Sequence, residues 1–367
     1  MSTYAFYPLS YRADEVQAVQ SAVQAGECVA ILGLSGSGKS NLMGFLEYML
    51  NLPAMAGRVR CHLVDCNRLA QPSPEALYAL LGEALNAERA DPAPGVGGAW
   101  KALDLAVNHS LQTTACLCLL LDRFDALEGA EFSLAARKNM YSGLRALRDA
   151  HKYALTYVTA TRRPLDPQSE LAELFYAHTQ WLGPLAAEDV YWTASQYAQR
   201  RGLAWDGTVL DTILALSWGY PSFVRAICEA HAAGTMLEMP ALQADPAVQR
   251  RVQEFLADQP TSEMLRLSGL AGHPLLPTQA AVTAFDASQL TAKEHLLWEY
   301  LCHHPDQVCE KDQLVQAVWP EDRIFERGIR DDSLAQLVRR LREKIEPDPS
   351  TPRHILTIPG RGYRYCP

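Results

Sequence analysis

The feature that most constrains this chain is a glycine-rich stretch of eight residues near its N-terminus. Residues 33–40 read Gly-Leu-Ser-Gly-Ser-Gly-Lys-Ser, a complete G-x-x-x-x-G-K-S phosphate loop. The apolar residues 28–32 come before it and predict a buried parallel strand, and residues 41–50 follow with a helical pattern. This strand–loop–helix order is the setting that the motif requires, so it favours a nucleotide site over a glycine-rich turn without a ligand.

The positions of the loop have predicted tasks in holding a nucleoside triphosphate. The glycines let backbone N–H groups turn toward an anion, and the following helix adds the positive end of its dipole. We expect Lys39 to reach the β- and γ-phosphates and the Ser40 hydroxyl to ligate Mg²⁺. The predicted nucleotide-binding residues in this segment are Gly33, Gly36, Ser37, Gly38, Lys39, Ser40 and Asn41.

The composition is that of an ordinary globular protein. The chain has 367 residues, 48% of them hydrophobic and 20% charged, which suffices for two or three domains. It has no apolar run long enough for a membrane span and no secretory signal pattern. Most of its nine cysteines lie in apolar runs, as reduced core residues do. We therefore expect a cytoplasmic protein with no membrane partner. Since the net charge is −9, any contact with nucleic acid must be local.

Short apolar runs alternate with helical patterns as far as about residue 184, which predicts a parallel α/β sheet. The predicted strands are residues 28–32, 59–64, 116–121 and 155–160. The third strand delivers Asp122 to the edge where open α/β sheets bind their ligands. We therefore predict that Asp122 holds Mg²⁺ through water.

From about residue 186 the pattern becomes purely helical. The predicted helices are residues 190–200, 208–216, 221–232 and 247–256. Together with the sheet, residues 11–256 resemble the STAND class of signal-transducing P-loop ATPases, a branch close to AAA+ and to the replication-initiator ATPases. The segments that carry the resemblance are the phosphate loop, residues 119–125 (Leu-Leu-Leu-Asp-Arg-Phe-Asp), Thr161 with Arg162, residues 218–221 (Trp-Gly-Tyr-Pro) and residues 11–15 (Tyr-Arg-Ala-Asp-Glu).

The resemblance implies roles for further residues. It implies ATP with Mg²⁺ as the ligand, puts Pro221 near the adenine and adds Arg12 to the nucleotide-binding set. Many AAA-type ATPases have a glutamate directly after the Walker B aspartate to activate water. Here that residue is Arg123, so Asp125 is left for the role and slow or partner-dependent hydrolysis is expected. At the end of the fourth predicted strand, Arg162 or Arg163 is expected to sense the γ-phosphate, the alternative being a solvated basic turn before Pro164. The predicted catalytic residues are Lys39, Asp122, Asp125 and Arg162.

The last eighty residues predict a separate module. Thr291 and Glu294 form a capping box that opens one helix, and helices are predicted at about residues 311–318 and 331–345. Alternating residues around a glycine-rich turn at 359–362 predict a hairpin. Three helices followed by a hairpin make a winged helix–turn–helix, and this region resembles the DNA-binding output domain of OmpR-type response regulators.

The third helix and the hairpin wing carry the predicted DNA contacts. On the third helix, Gln336, Arg340 and Lys344 form a polar ridge opposite the apolar stripe. The predicted DNA-binding residues are Ser333, Gln336, Arg339, Arg340, Arg342, Lys344, Thr357, Arg361 and Tyr363. The module has twelve Lys and Arg against fourteen Asp and Glu, and it has a proline at position 359, where the family commonly has an arginine. A wing that docks protein therefore stays as the alternative.

The sequence thus predicts an α/β P-loop NTPase with a parallel sheet (residues 1–184), an all-α lid (185–257), a linker (258–286) and a winged helix–turn–helix domain (287–367). The predicted function is an ATP-switched DNA-binding protein that regulates transcription and hydrolyses ATP slowly. The alternatives are an initiator or loader ATPase for replication, transposition or defence, and a protein-sensing scaffold. Double-stranded DNA is the expected partner, and self-association on ATP binding and a further protein partner stay open.

Overall fold

The computed structural model describes residues 3–69, 73–85, 95–128, 134–276, 290–319, 327–346, 349 and 352–366. For residues 134, 292 and 327–332 it describes the backbone. The chain divides into two compact units, Met1–Leu275 and Leu276–Pro367, and each is described by itself.

The first unit is built on a five-stranded parallel sheet in the order β2-β3-β4-β1-β5. The strands are β1 Val29–Leu32, β2 Val59–Asp65, β3 Cys116–Asp122, β4 Leu155–Thr161 and β5 Thr179–Trp181. Every residue of β1, β3 and β4 is buried, because helices cover both faces of a sheet of this kind. The four predicted strands are present. The fifth escaped prediction because it is a three-residue edge strand of sequence Thr-Gln-Trp with no buried residue.

Helices pack around the sheet and continue as a purely helical region after it. Those within the α/β part are α1 Ala13–Gln24, α2 Lys39–Leu50, α3 Pro74–Ala84, α4 Val96–Ser110 and α5 Leu134–His151. Those that follow are α6 Ala187–Arg200, α7 Gly207–Ser217, α8 Pro221–Ala232, α9 Met239–Ala244, α10 Pro246–Leu256 and α11 Ser262–Leu267. We call α6–α10 the lid. Within the described part of the chain, no helix is both long and apolar enough to cross a membrane.

The segment predicted to begin a linker at residue 258 is instead folded into the first unit as far as Leu275. It contains α11 and buries Leu270 completely. His273 is also buried, and its ring lies 4.7 Å from that of Trp218 and 5.0 Å from that of Phe223. Prolines at positions 260 and 274 interrupt this segment, so its apolar residues did not predict the packing. Residues 277–289 lie outside the described residues. The predicted boundaries at 184 and 257 stay predictions.

The second unit consists of three helices and a small antiparallel sheet in the order β6-β8-β7. Its elements are α12 Ala292–His303, β6 Val308–Glu310, α13 Lys311–Val318, α14 Arg327–Ile345, β7 Ile355–Ile358 and β8 Gly362–Tyr365. The predicted capping box of Thr291 and Glu294 is present. The third helix begins four residues before the predicted start. Gly362 is required where β8 meets β6, since a Cβ there would lie 2.1 Å from the carbonyl oxygen of Cys309. The winged helix–turn–helix fold is therefore as predicted.

Candidate functional site

The phosphate loop joins β1 to α2 in a conformation that depends on glycine. Gly36 and Gly38 have φ angles of +80° and +89°, in the left-handed region that other residues rarely adopt. A Cβ on Gly36 would also lie 2.3 Å from the Ser222 hydroxyl oxygen. Helix α2 begins at Lys39, directly after the loop, so that the N-terminal end of its dipole faces the loop. The local backbone is that of an anion-binding turn.

Lys39 is partly buried against the loop. Its ammonium donates hydrogen bonds to the carbonyl oxygens of Gly33, at 2.5 Å, and Leu34, at 3.2 Å. Burial lowers the pKa of Lys39 to about 8, although the carboxylates of Asp125 and Asp258, in that order, act to raise it. A phosphate group near the ammonium would offset the desolvation of its charge, so this lysine fits the role of a phosphate ligand.

Asp122 ends β3 beside the start of α2, in position to share a cation with Ser40. The Ser40 hydroxyl lies close enough to the Asp122 carboxylate to act on its pKa, and the backbone N–H of Arg123 donates to the same carboxylate at 3.0 Å. Burial raises the pKa of Asp122, and the Ser40 hydroxyl and the Arg123 N–H lower it in part. A hydroxyl and a carboxylate are the oxygen donors that Mg²⁺ takes beside nucleotide phosphates. The pair therefore fits Mg²⁺, which when bound would neutralise phosphate charge.

The predicted catalytic pair, Asp125 and Arg162, forms an ion pair at the carboxyl edge of the sheet. The Arg162 guanidinium donates to the Asp125 carboxylate at 2.5 Å and to the Asp258 carboxylate at 3.1 Å. The hydrogen bond with Asp125 is the main cause of the raised pKa of Arg162. Asp258 in turn accepts a 2.6 Å hydrogen bond from the backbone N–H of Ser35 in the phosphate loop. A network of ion pairs and hydrogen bonds therefore links the end of β4 to the loop.

The lid contacts the phosphate loop directly through the Gly-Tyr-Pro element at residues 219–221. The Tyr220 hydroxyl donates to the carbonyl oxygen of Ser35 at 2.8 Å. The backbone N–H of Ser222 donates to the carbonyl oxygen of Gly36 at 3.0 Å. Pro221 is the first residue of α8, and its ring lies 3.5 Å from where a Cβ of Gly38 would be. A shift of the loop is thus transmitted to α8 through two hydrogen bonds and this contact.

Arg12 and Asn41 hold the other side of the loop. The buried Arg12 guanidinium donates to the carbonyl oxygens of Ser37, at 3.0 Å, and Gly183, at 3.1 Å. The Asn41 amide accepts from the hydroxyl of Tyr7 at 2.8 Å and donates to that of Tyr11 at 3.0 Å. Both side chains lie at the loop and bind protein atoms, although the Arg12 Nε is buried without a hydrogen-bond partner in the part of the chain that the structure describes.

A cavity of about 560 Å³ lies over the loop and brings most of the predicted residues together. Sequence reasoning did not identify several groups around it: Asn67, Ser222, Arg225, Arg251 and Asp258. They come from four separate segments, none with a motif of its own. The one signal available was the position of Ser222 and Arg225, which lie one and four residues after Pro221 and so near it on the helix.

In the second unit, α14 buries one face and exposes the other, as its periodicity predicted. Its buried residues are Leu334, Leu337, Val338 and Leu341, and Ser333, Gln336, Arg339 and Arg340 are exposed. Arg339 pairs with Glu343 at 3.1 Å. Among the described residues Arg340 has no partner, so its guanidinium is available to a ligand. In the wing, Arg361 is likewise exposed at the hairpin turn.

The other four predicted DNA contacts are used within the domain. The Arg342 guanidinium donates to the carbonyl oxygen of Ile355 at 2.5 and 2.9 Å and to the Thr357 hydroxyl at 2.8 Å, and it lies 5.9 Å from the Tyr363 ring centre. Tyr363 is buried. Lys344 donates to the buried Glu294 at 2.7 Å. Helical spacing placed Arg342 and Lys344 away from the apolar stripe of α14. It gave no sign that the wing and α12 fold against these two side chains.

Two family models match this chain. Residues 10–244 match the model described as Novel STAND NTPase 1, and residues 286–365 match the model described as Transcriptional regulatory protein, C terminal. The first match covers well over half of the chain. The resemblance of residues 11–256 to STAND ATPases and of the last domain to an OmpR-type DNA-binding domain is thereby confirmed.

Individual relatives match part of the chain. The transcriptional regulatory protein YvrH of Bacillus subtilis is 41% identical over 71 residues, 19% of this chain and 28% of YvrH. SphR of Synechococcus elongatus, an alkaline phosphatase synthesis transcriptional regulatory protein, is 37% identical over 119 residues, 32% of this chain and 43% of SphR. The chain thus spans less than half the length of these two relatives. Cdc6p from Pyrobaculum aerophilum is a solved structure with a TM-score of 0.45 and 14% identity, covering 98% of this chain and 90% of that one, which is too distant to support an argument.

Proposed function

We propose that this chain, which belongs to the Novel STAND NTPase 1 family and carries the C-terminal domain of transcriptional regulators, regulates transcription. It does so by binding DNA in a nucleotide-dependent way. The observation that carries the proposal is the direct contact between lid and phosphate loop, in which Tyr220 and Ser222 hydrogen-bond to the loop backbone. Because a bound nucleotide shares that loop, it changes the groups that the lid contacts. As a DNA-binding regulator, the protein is expected to act in the cytoplasm.

The nucleotide site has a division of tasks among the residues already described. Lys39 contacts the phosphates, Ser40 and Asp122 hold Mg²⁺, and the loop residues Gly36 and Gly38 supply backbone N–H groups to the phosphate oxygens. Arg162 responds to the γ-phosphate, and Asp125 orients water. The expected hydrolysis is slow, since Arg123 takes the position of the usual base and Asp125 is paired with a cation. Slow hydrolysis suits a switch because the ATP state persists.

The DNA interface is smaller than the sequence alone suggested. The exposed polar residues of α14 (Ser333, Gln336 and Arg340) read bases in the major groove, and Arg361 in the wing contacts the phosphate backbone. Arg339 borders this surface. The contacts made by Arg342 and Lys344 hold α14 against the wing and α12, so that the reading residues are presented on a fixed helix.

Fluorescence anisotropy with the full chain tests the proposal. DNA affinity is measured across a salt series with ATP and with ADP, and we expect the two nucleotide states to differ by about 1–3 kcal/mol of coupling free energy. Arg340→Ala is expected to cost about 1–3 kcal/mol at the preferred site but little on random DNA. Arg339→Ala is the matched control on the same helix. Equal affinity with ATP and ADP would refute the switch, and no DNA binding in either state would favour a domain that docks protein.

A further inference from the structure

Asp258 lies in an unusual place for a residue that follows the lid. Its side chain is only 3% exposed, and its carboxylate accepts a 2.6 Å hydrogen bond from the backbone N–H of Ser35, the third residue of the phosphate loop. The same carboxylate accepts a 3.1 Å hydrogen bond from Arg162. Its backbone carbonyl accepts another, from Arg163 at 3.0 Å. A buried anion is therefore bound to the loop by groups from two other segments.

The donors that hold this carboxylate are those that a terminal phosphate would use. Backbone N–H groups of a phosphate loop bind phosphate oxygens, and cationic side chains bind the phosphate that is transferred. Arg162, at the end of β4, is the cation here. The positive charge of Lys39 on the same loop is stabilised by Asp258 as well. A carboxylate with these three neighbours makes the contacts of a phosphate group and carries the same sign of charge.

We propose that Asp258 is an internal substitute for the γ-phosphate, which makes the site discriminate between nucleoside diphosphates and triphosphates. This inference rests on the proposed function. A diphosphate binds the loop while Asp258 keeps its contacts with Ser35 and Arg162. A triphosphate has to displace the carboxylate, because two anions cannot share the same donors.

The backbone around Asp258 determines what its displacement changes. Helix α10 ends at Leu256, Gln259 has a φ of +49°, and α11 begins at Ser262, so Asp258 is presented on a tight turn between two helices. The carbonyl of Asp258 is also held by Arg163. When the carboxylate leaves the loop, the turn before α11 loses its side-chain hydrogen bonds with Ser35 and Arg162 and keeps only the backbone contact with Arg163. Binding of the γ-phosphate thereby changes the anchoring of the last segment of the first unit.

Calorimetric titration of the full chain with Mg²⁺ tests the discrimination. The probes are ADP and the non-hydrolysable β,γ-imido analogue of ATP, and the variants are Asp258→Asn and, as the matched control, Glu263→Gln. Glu263 pairs with Arg266, and both of these side chains are exposed. We expect Asp258→Asn to raise the ratio of analogue affinity to ADP affinity by about fivefold or more, the lower end of typical coupling between sites. The control should leave the ratio at its wild-type value. An unchanged or lowered ratio in Asp258→Asn would mean that the carboxylate only braces Arg162, and would overturn the proposal.

A second measurement needs no variant. Hydrogen exchange of the wild-type chain is followed for backbone amides of residues 259–268 with ADP and with the analogue. We expect several-fold faster exchange with the analogue, because only it displaces Asp258, and equal rates would contradict the mechanism. Failure of the proposed function and failure of this inference give different results. A wild-type chain that binds neither nucleotide refutes the proposed function itself, whereas binding of both with no change in ratio or exchange refutes this inference alone.

Discussion

Replacing Arg342 by alanine distinguishes a role within the domain from a role in DNA binding. Its guanidinium joins α14 to the wing through the carbonyl oxygen of Ile355 and the Thr357 hydroxyl. Hydrogen bonds that involve a charged group contribute about 1.5–3 kcal/mol each to stability. One carbonyl and one hydroxyl lose their donor in Arg342→Ala, and of these two residues Ile355 is buried whereas Thr357 is exposed to water. We therefore expect the second unit to lose about 2–3 kcal/mol of unfolding free energy.

The expected effect is large enough to measure in the intact protein. For a domain of this size, each kcal/mol shifts the midpoint of thermal unfolding by about 4–8 °C, so a shift of roughly 8 °C or more is expected. Hydrogen exchange followed against denaturant, in peptides from residues 290–319, reports on this unit separately. The matched control is Arg339→Ala on the same helix. It removes an exposed pair of a kind worth only about 0.3–0.5 kcal/mol.

The DNA measurement completes the test. At a temperature where the Arg342→Ala variant is fully folded, the salt dependence of its DNA binding should equal that of the wild type. Arg361→Ala should reduce the same slope by about one, since it removes a phosphate contact and leaves the domain intact. If Arg342→Ala lowered the salt slope by one and left stability unchanged, Arg342 would be a DNA contact and the reasoning from its hydrogen bonds would be wrong.

Three further predictions concern the first unit. Lys39→Ala should abolish tight binding of ATP with Mg²⁺, and Ser40→Ala should weaken only the Mg²⁺-dependent part of the binding. If calorimetry found the same ATP affinity in Lys39→Ala as in the wild type, the phosphate loop would not be the ATP site. Steady-state hydrolysis should run well below the ~1–100 s⁻¹ common for phosphoryl transfer, and Asp125→Asn should slow it more than it weakens binding, whereas fast hydrolysis insensitive to this change would contradict the switch. Burial lowers the pKa of His273 from 6.5 to about 4, so its contribution to stability is complete above pH 6.5 and declines as the pH falls toward 4. Between pH 7 and pH 5 the wild type should lose about 2 kcal/mol of unfolding free energy that His273→Asn does not lose, and parallel pH profiles would refute this.

Much of the molecule follows from short stretches of sequence. The phosphate loop acts through the backbone of eight consecutive residues, so its order of glycines, lysine and serine predicts its conformation without reference to the rest of the chain. The same holds for the capping box of Thr291 and Glu294 and for α13, which begins and ends at the predicted residues. The buried strand β3 is equally readable, since it is an apolar run of six residues before Asp122, and β4 is recognisable by its β-branched and aromatic residues.

Other features depend on residues that only the fold brings together. Ser35 and Asp258 are 223 positions apart in the chain, and the carboxylate reaches the loop only because the segment after the lid packs against the sheet. The helical period of α14 determines that Arg340 and Arg342 are both polar-side residues. Which of them is available to DNA depends on where the wing folds. A helical or strand pattern specifies the face on which a side chain lies, whereas its partner, and with it the charge and burial that determine its chemistry, is set by segments distant in sequence.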